Sequence, residues 1–364
     1  MDNSNALYYN MYRLNTTRQE TQMNALFYTG VERLELRDID IPKPASDEYL
    51  IKIEACGICG SDFEGYLGKT GRRTAPMIMG HEFAGFVAET PRGGKYPAGT
   101  KVVVYPKLFC GSCPSCISGR TNTCETAPHL GVMDCNGAMT EYICVRQDYL
   151  VPYDPSLKPS VAAMAEPIAV AYNAVSKLKD QIPGASHILV VGSGTIGLLV
   201  VMALKLFGAK HIIVSDLCDC RLALAGDVGA DDVINPGKEN FTSMISRFTN
   251  GAKCDLSFEA VGINGSAVSS LDALHSSGAA VWIGNAQKMI EINMQTIVTT
   301  ELTIRGSYAF TISDFVESVS LLSREKVDPR HIITDTFPLE RGAEAFNRLK
   351  NNSDGSALKV MLSC

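Results

Sequence analysis

Nowhere does this chain run apolar for the roughly 18 residues that would span a bilayer, so no membrane-crossing helix is expected. An excess of basic charge is missing too. Lys and Arg number 33 against 39 Asp and Glu, and the net charge of -6 argues against a general nucleic-acid binder. Residues 1–22 hold no continuous apolar core and no Arg-rich amphipathic pattern, so neither an ordinary signal peptide nor a transit peptide is expected. That stretch reads as a mobile extension without assigned chemistry. Internal repeats and low-complexity segments are absent, which excludes a solenoid or an array. With no secretion signal, a reducing cytoplasm is the expected setting, and the 12 cysteines are then free thiols or metal ligands rather than disulfides.

What is present fits a soluble globular enzyme: 46% hydrophobic and 20% charged residues over 364 positions, a length that predicts two domains. Short β-type runs fill the first part, with a first strand from Met23 to Gly30, then Tyr49 to Ala55, Glu82 to Ala88, Lys101 to Tyr105 and Ala138 to Val145. Many short strands separated by Gly and Pro turns predict a small, partly open barrel. The pattern changes near Pro159. Val161 to Leu178 reads as one helix, and apolar strands then alternate with helical spans, which predicts a parallel sheet covered on both faces. An amphipathic helix from Ile312 to Leu322 and a last strand from Lys359 to Leu362 are expected to return to the first domain.

Two groups of residues have metal-ligand chemistry. Cys59, in the Gly-flanked run Gly57-Ile58-Cys59-Gly60-Ser61-Asp62, is answered by Gly80-His81-Glu82 and by Glu166-Pro167. One thiol, one imidazole and two carboxylates suit a zinc ion with a position left for substrate. Asp62 is placed to orient His81 through its second ring nitrogen. Cys110, Cys113, Cys116 and Cys124, at x2, x2 and x7 spacings, would close a tetrahedron and leave no such position, a structural zinc site. A zinc ribbon for nucleic acid or a partner is the alternative, against which count the acidic balance and the scarcity of basic and aromatic residues in 110–124.

A third signal is Gly192-Ser193-Gly194-Thr195-Ile196-Gly197, between an apolar strand and an apolar helix, with Asp216 nineteen residues past Gly197. In that context the pattern is a dinucleotide fingerprint: Gly192 turns, Gly194 admits the pyrophosphate, and Gly197 lets helix and strand close up. Asp216 is expected to accept from the ribose hydroxyls and to repel a 2′-phosphate, favouring NAD. Thr195 and Ile196 open the helix, and Arg221 lies a little beyond the acid. Val261, Ile283-Gly284 and Ser307-Tyr308 follow later strands, at ends that line a nicotinamide pocket in such sheets.

Taken together, these motifs resemble the zinc-dependent medium-chain dehydrogenases from Met23 onward, and within them the polyol branch, with threonine dehydrogenase near. The resemblance implies an α/β plus all-β protein. A GroES-like catalytic domain (residues 23–168 and 309–364, with a zinc lobe over 108–126) would join a doubly wound Rossmann domain (169–308), with the site between them. It implies catalytic zinc on Cys59, His81 and a carboxylate, either Glu82 or Glu166, and Ser61 as the proton relay hydroxyl. Where many relatives carry a relay histidine this chain has Glu64, which either accepts the proton or is simply solvated. The expected reaction is oxidation of a secondary alcohol of a polyol or polyol phosphate by NAD; an L-threonine 3-dehydrogenase-like activity is the alternative. Lys69, Arg72 and Arg73 either meet an anionic substrate group or form a solvated basic loop. A non-catalytic NAD-binding structural or sensory module is the contrasting reading. By analogy a homo-oligomer, dimer or tetramer, is expected.

Overall fold

The computed structural model describes residues 21–364. Most of the extension expected over 1–22 lies outside the described residues, and Gln22 already opens a strand. Eight strands precede the change of pattern: β1 (Gln22–Gly30), β2 (Arg33–Asp40), β3 (Glu48–Gly57), β4 (Met77–Ile78), β5 (Glu82–Glu89), β6 (Lys101–Val104), β7 (Tyr142–Arg146) and β8 (Leu150–Pro152). In β3 the side chains of Ile51, Ile53 and Ala55 are buried while those of Lys52 and Glu54 are half-exposed, the alternation of an antiparallel strand with one face on a core. The strand expected from Ala138 begins only at Tyr142. The backbone N–H groups of Gly137, Ala138 and Met139 are spent on the carbonyls of Ile78, Gly80 and Met79, which braces the segment leading to His81.

The helix expected over Val161–Leu178 is broken. One turn, Pro159–Ala162, is followed after a step at Ala163 and Met164 by a new helix, Ala165–Ser176. Pro167 is the reason: with no N–H it is tolerated in a first turn but would cost a hydrogen bond and a clash deeper in a helix. The break puts Glu166 at a helix start.

The second sheet is wholly parallel and six-stranded: β9 (Ile188–Val191), β10 (Ile212–Ser215), β11 (Asp232–Ile234), β12 (Cys254–Glu259), β13 (Leu274–Trp282) and β14 (Thr303–Gly306). Their order is β11-β10-β9-β12-β13-β14. All four residues of β9 and of β10 are buried, as strands covered on both faces require. The order reverses between β9 and β12, so a crevice opens at their carboxyl ends.

Two strands follow, β15 (Ile333–Pro338) and β16 (Lys359–Ser363), and both join the first region. β16 lies between β15, which is parallel to it, and β3, which is antiparallel. In this seven-stranded sheet Gly57 faces both Glu82 of β5 and Met361 of β16. Three strand ends thus meet at one corner. One apolar core runs from Ile51 and Val103 in this sheet through Ile168 to Val190 and Phe258 in the parallel one, and a second, with Leu189, Ile213 and Leu271, also packs on the parallel sheet. Among the described residues no helix is long and apolar enough to cross a membrane.

Candidate active site

The corner where β3, β5 and β16 meet gathers three of the expected metal ligands, Cys59, His81 and Glu82. Past Gly57 the chain turns at Ile58, whose N–H is bonded by Val360 O, and Cys59 caps a short helix, Gly60–Tyr66. Cys59 Sγ accepts from Ser61 N at 3.5 Å and from Ser61 Oγ at 3.4 Å. One ligand atom each from Cys59, His81 and Glu82 lies within 4.8 Å of the others. Gly57 is required here, since a Cβ would stand 2.3 Å from Glu82 Oε2.

Glu82 and Glu166 differ in their partners. Both oxygens of Glu82 accept from Lys359 Nζ, at 2.8 and 2.6 Å, and both residues are 2% exposed. Glu166 is buried in the first turn of its helix and makes no hydrogen bond that satisfies its carboxylate among the described residues. Burial, with Glu82 and Cys59 adding to it against His81 and Lys359, drives its carboxyl well above the usual carboxylate range. Burial, then the charge of Glu82, likewise pushes the Cys59 thiol up to about 11. His81 turns Nδ1 toward Asp62 Oδ2 at 3.5 Å, too long for a bond, and that nitrogen is buried and unpartnered. A half-buried thiol, a buried imidazole and a buried carboxylate with ligand atoms within 4.8 Å of one another are a set that a divalent cation would satisfy, so Cys59, His81 and Glu82 fit zinc.

The residues around this cluster are arranged differently from the sequence-based expectation. Asp62, fully buried, accepts from Arg73 Nη2 at 2.7 Å, and the same nitrogen reaches Ser61 Oγ at 3.3 Å. Arg73 therefore braces the Ser61 hydroxyl and is turned in to the buried Asp62. Glu64 is half-exposed and 3.5 Å from Lys69 Nζ. Arg72 is exposed and borders a cavity of about 520 Å³ with Lys107, His129, Val132 and Tyr308. His129 belongs to both places: its ring packs edge-on to His81 with centroids 5.3 Å apart, and its Nε2 is buried without a partner. Burial, then the neighbouring His81 and Lys107, holds its pKa well below the usual imidazole value, so it is neutral.

Cys110, Cys113, Cys116 and Cys124 converge in a second cluster. The Cys110–Cys116 and Cys113–Cys124 sulfur pairs are each 3.9 Å apart. Zinc–thiolate bonds of about 2.3 Å in a tetrahedron give edges of roughly 3.8 Å, so four thiolates here fit one ion. The lobe is tied to the parallel sheet by Asn122 Nδ2, which donates to Tyr308 O at 2.7 Å.

The glycine turn after β9 sits at the reversal of strand order. Gly192 has φ +96°, and a Cβ on Gly197 would be 1.8 Å from Gly192 O. A Cβ on Gly194 would meet nothing within 4 Å, which leaves open space in front of the helix Thr195–Leu206. Buried Ser193 has an unpartnered Oγ, and no side chain caps the first N–H groups of this helix. Such a cradle fits a pyrophosphate. Asp216 is fixed by Ser193 N at 2.7 Å and Cys218 N at 2.9 Å. Arg221 is committed to Gly355 O through Nε at 3.0 Å. Val261 and Tyr308 are exposed at their strand ends, Ile283 and Gly284 half-buried, and Ser307 is buried and reached by Asn173 Nδ2 at 3.4 Å.

Sequence reasoning missed Lys359 and His129. A charged residue leading the otherwise apolar Val360-Met361-Leu362 strand was the available sign for Lys359. Nothing in the spacing of His129 marks it.

The family model described as "Alcohol dehydrogenase GroES-like domain" matches residues 45–155, and that described as "Zinc-binding dehydrogenase" matches 195–324. A sorbitol dehydrogenase of Bacillus subtilis is 33% identical over 345 residues, 93% of this chain and 97% of that protein. A D-arabitol-phosphate dehydrogenase of Enterococcus avium is 29% identical over 337 residues, 92% and 94% of the two chains. Among solved structures, an alcohol dehydrogenase from Escherichia coli complexed with the cofactor NADH superposes with a TM-score of 0.87 at 28% identity, covering 94% of this chain and all of that one.

Proposed function

Because the chain belongs to the zinc-dependent medium-chain dehydrogenases, on their polyol side, we propose that it oxidises a secondary alcohol of a polyol or polyol phosphate to a ketone, with NAD as hydride acceptor. The observation that carries this reading is the convergence of Cys59, His81 and Glu82 within 4.8 Å, beside a cavity that Tyr308 borders from the end of β14. When bound, zinc supplies Lewis acidity toward the alcohol oxygen and the nicotinamide supplies the hydride acceptor. Cys59 and His81 would hold the metal with a carboxylate, either Glu82, which lies in their ligand group but is paired with Lys359, or Glu166, which lacks an ammonium partner. Ser61, exposed and held by Arg73, would take the alcohol proton while passing its own hydroxyl proton on towards solvent. Asp216 would fix the adenosine ribose, the turn from Gly192 to Gly197 the pyrophosphate, and Val261, Ile283, Gly284, Ser307 and Tyr308 the nicotinamide end. Glu64, turned to Lys69 near the surface, is read as the outer proton acceptor or as a solvated residue.

Arg72 favours the phosphate-bearing substrate. Its guanidinium meets no acceptor among the described residues, and Lys107 stands on the same cavity wall. A charge-assisted contact contributes about 1.5–3 kcal/mol, roughly ten- to a hundredfold in kcat/KM. Turnover should be compared on galactitol 1-phosphate, galactitol and sorbitol, with wild type and Arg72→Ala. Loss confined to the phosphate ester supports the reading; equal rates in both proteins remove the phosphate and leave the polyol.

A further inference from the structure

Two cysteines outside both metal clusters face each other at the adenosine side of the crevice. Cys218 precedes the helix Asp219–Asp227 and Cys220 lies in its first turn. Their sulfurs are 2.9 Å apart, and both thiols donate to one acceptor, Asp354 O, at 3.4 and 3.3 Å. The turn at Gly355 presses on the pair, since a Cβ there would stand 2.4 Å from Cys218 Sγ. Cys220 is exposed and Cys218 half-buried, so a small molecule can reach them.

The separation distinguishes two fates. Sulfurs around one metal would stand roughly 3.8 Å apart, as the four-cysteine lobe nearly does at 3.9 Å. This pair is an ångström closer, and no third His, Cys, Asp or Glu joins it in a ligand group among the described residues. A disulfide needs about 2.05 Å, a further approach of roughly 0.9 Å. The two thiols also differ. Partial burial raises the Cys218 pKa, but the Cys220 thiol and the N–H groups of Arg221 and Cys220 outweigh it and hold it below the usual thiol value. The contact with Cys218, then burial, holds the Cys220 thiol above it. One sulfur is thus the readier thiolate, as an attacking group must be.

We propose that Cys218 and Cys220 form a redox-reactive dithiol that closes to a disulfide by exchange with a small disulfide such as oxidised glutathione, and that closure weakens dinucleotide binding. The Cys218 thiolate attacks one sulfur of the small disulfide and expels the other as a thiolate. Cys220 then gives its proton to solvent and attacks the Cys218 sulfur of the mixed disulfide, releasing the second small thiol. Two protein thiols are oxidised and one small disulfide is reduced to two thiols. Closure removes both donors from Asp354 O and twists the turn whose Cys218 N–H orients Asp216. The affinity change rests on the dinucleotide reading of Asp216; the thiol exchange does not.

The test equilibrates the zinc-loaded full chain in glutathione buffers of graded ratio, followed by alkylation, peptide mass analysis and NADH titration by fluorescence. The expected result is a peptide carrying Cys218 and Cys220 that loses two hydrogens and both alkylation sites, with at least a threefold rise in NADH Kd. That rise should be absent in Cys218→Ser and Cys220→Ser, which keep the other cysteines. Two alkylated thiols at the most oxidising ratio, or glutathione left on one of them, would overturn the dithiol. A closed peptide with unchanged Kd would overturn the coupling. Reduced protein that binds no NADH would overturn the crevice reading and the coupling with it, while the mass shift still decides the dithiol.

Discussion

Single side chains decide the chemistry at the corner of the antiparallel sheet. Lys359 and Glu82 are a buried ion pair, and removing one partner leaves a charge without compensation, a loss of about 3–5 kcal/mol. Lys359→Met should therefore lower the midpoint of thermal unfolding clearly, and adding Glu82→Gln should recover part of the loss, as calorimetry of the two variants would reveal. Cys59→Ser should bring turnover down at least a hundredfold and leave one zinc per chain by metal analysis in place of two. Asp216→Ser should cut the preference for NAD over NADP at least tenfold, measured as the ratio of kcat/KM values, because the carboxylate fixed by Ser193 and Cys218 would no longer face a 2′-phosphate. The meeting of Cys59, His81 and Glu82 was legible from their residue types in Gly-rich contexts, whereas Glu166 stands outside that group. Which carboxylate is neutralised was not legible, since Lys359 is 277 positions from Glu82 and reaches it only through strand pairing. Arg73 shows the opposite failure: a basic residue on a loop reads as solvated or as substrate-facing until the buried carboxylate that claims it is known.

At the scale of elements, strong local patterns carried over and balanced ones did not. The apolar runs Ile188–Val191 and Ile212–Ser215, and the helix Ile312–Ser323, stand where their periodicity puts them. The break at Ala163 and the strand Ile333–Pro338 depend on a proline in a first turn and on a neighbouring strand, neither of which periodicity records. The four-cysteine lobe belongs to this scale as well. Its one buried sulfur is Cys124, and with little apolar packing around 110–120 its shape depends on the ion that the four thiolates fit. Cys113→Ser should make residues 108–126 the first site of limited proteolysis, and should raise KM for NAD before it alters kcat, since Asn122 carries the lobe's hold on Tyr308. Digestion followed by peptide mapping and steady-state kinetics would check both.

Across the whole molecule, one apolar core reaches from the seven-stranded sheet to the parallel one, and β16 ties several parts of the site together. It supplies pairing for β3 and β15, the ammonium for Glu82, and, through Leu358 O, an acceptor for Thr195 Oγ1 at 3.2 Å beside the glycine turn. A chain ending at Ser356 should lack soluble folded product, readable by size-exclusion chromatography, although every ligand and every glycine of the fingerprint is still present. The same strand sets the order of events during synthesis. Because Lys359 follows Glu82 by 277 positions, a nascent chain carries its thiolate, imidazole and both acids through that span of synthesis without the lysine that neutralises one of them. Discrimination between the two carboxylates begins only once β16 has slotted between β15 and β3.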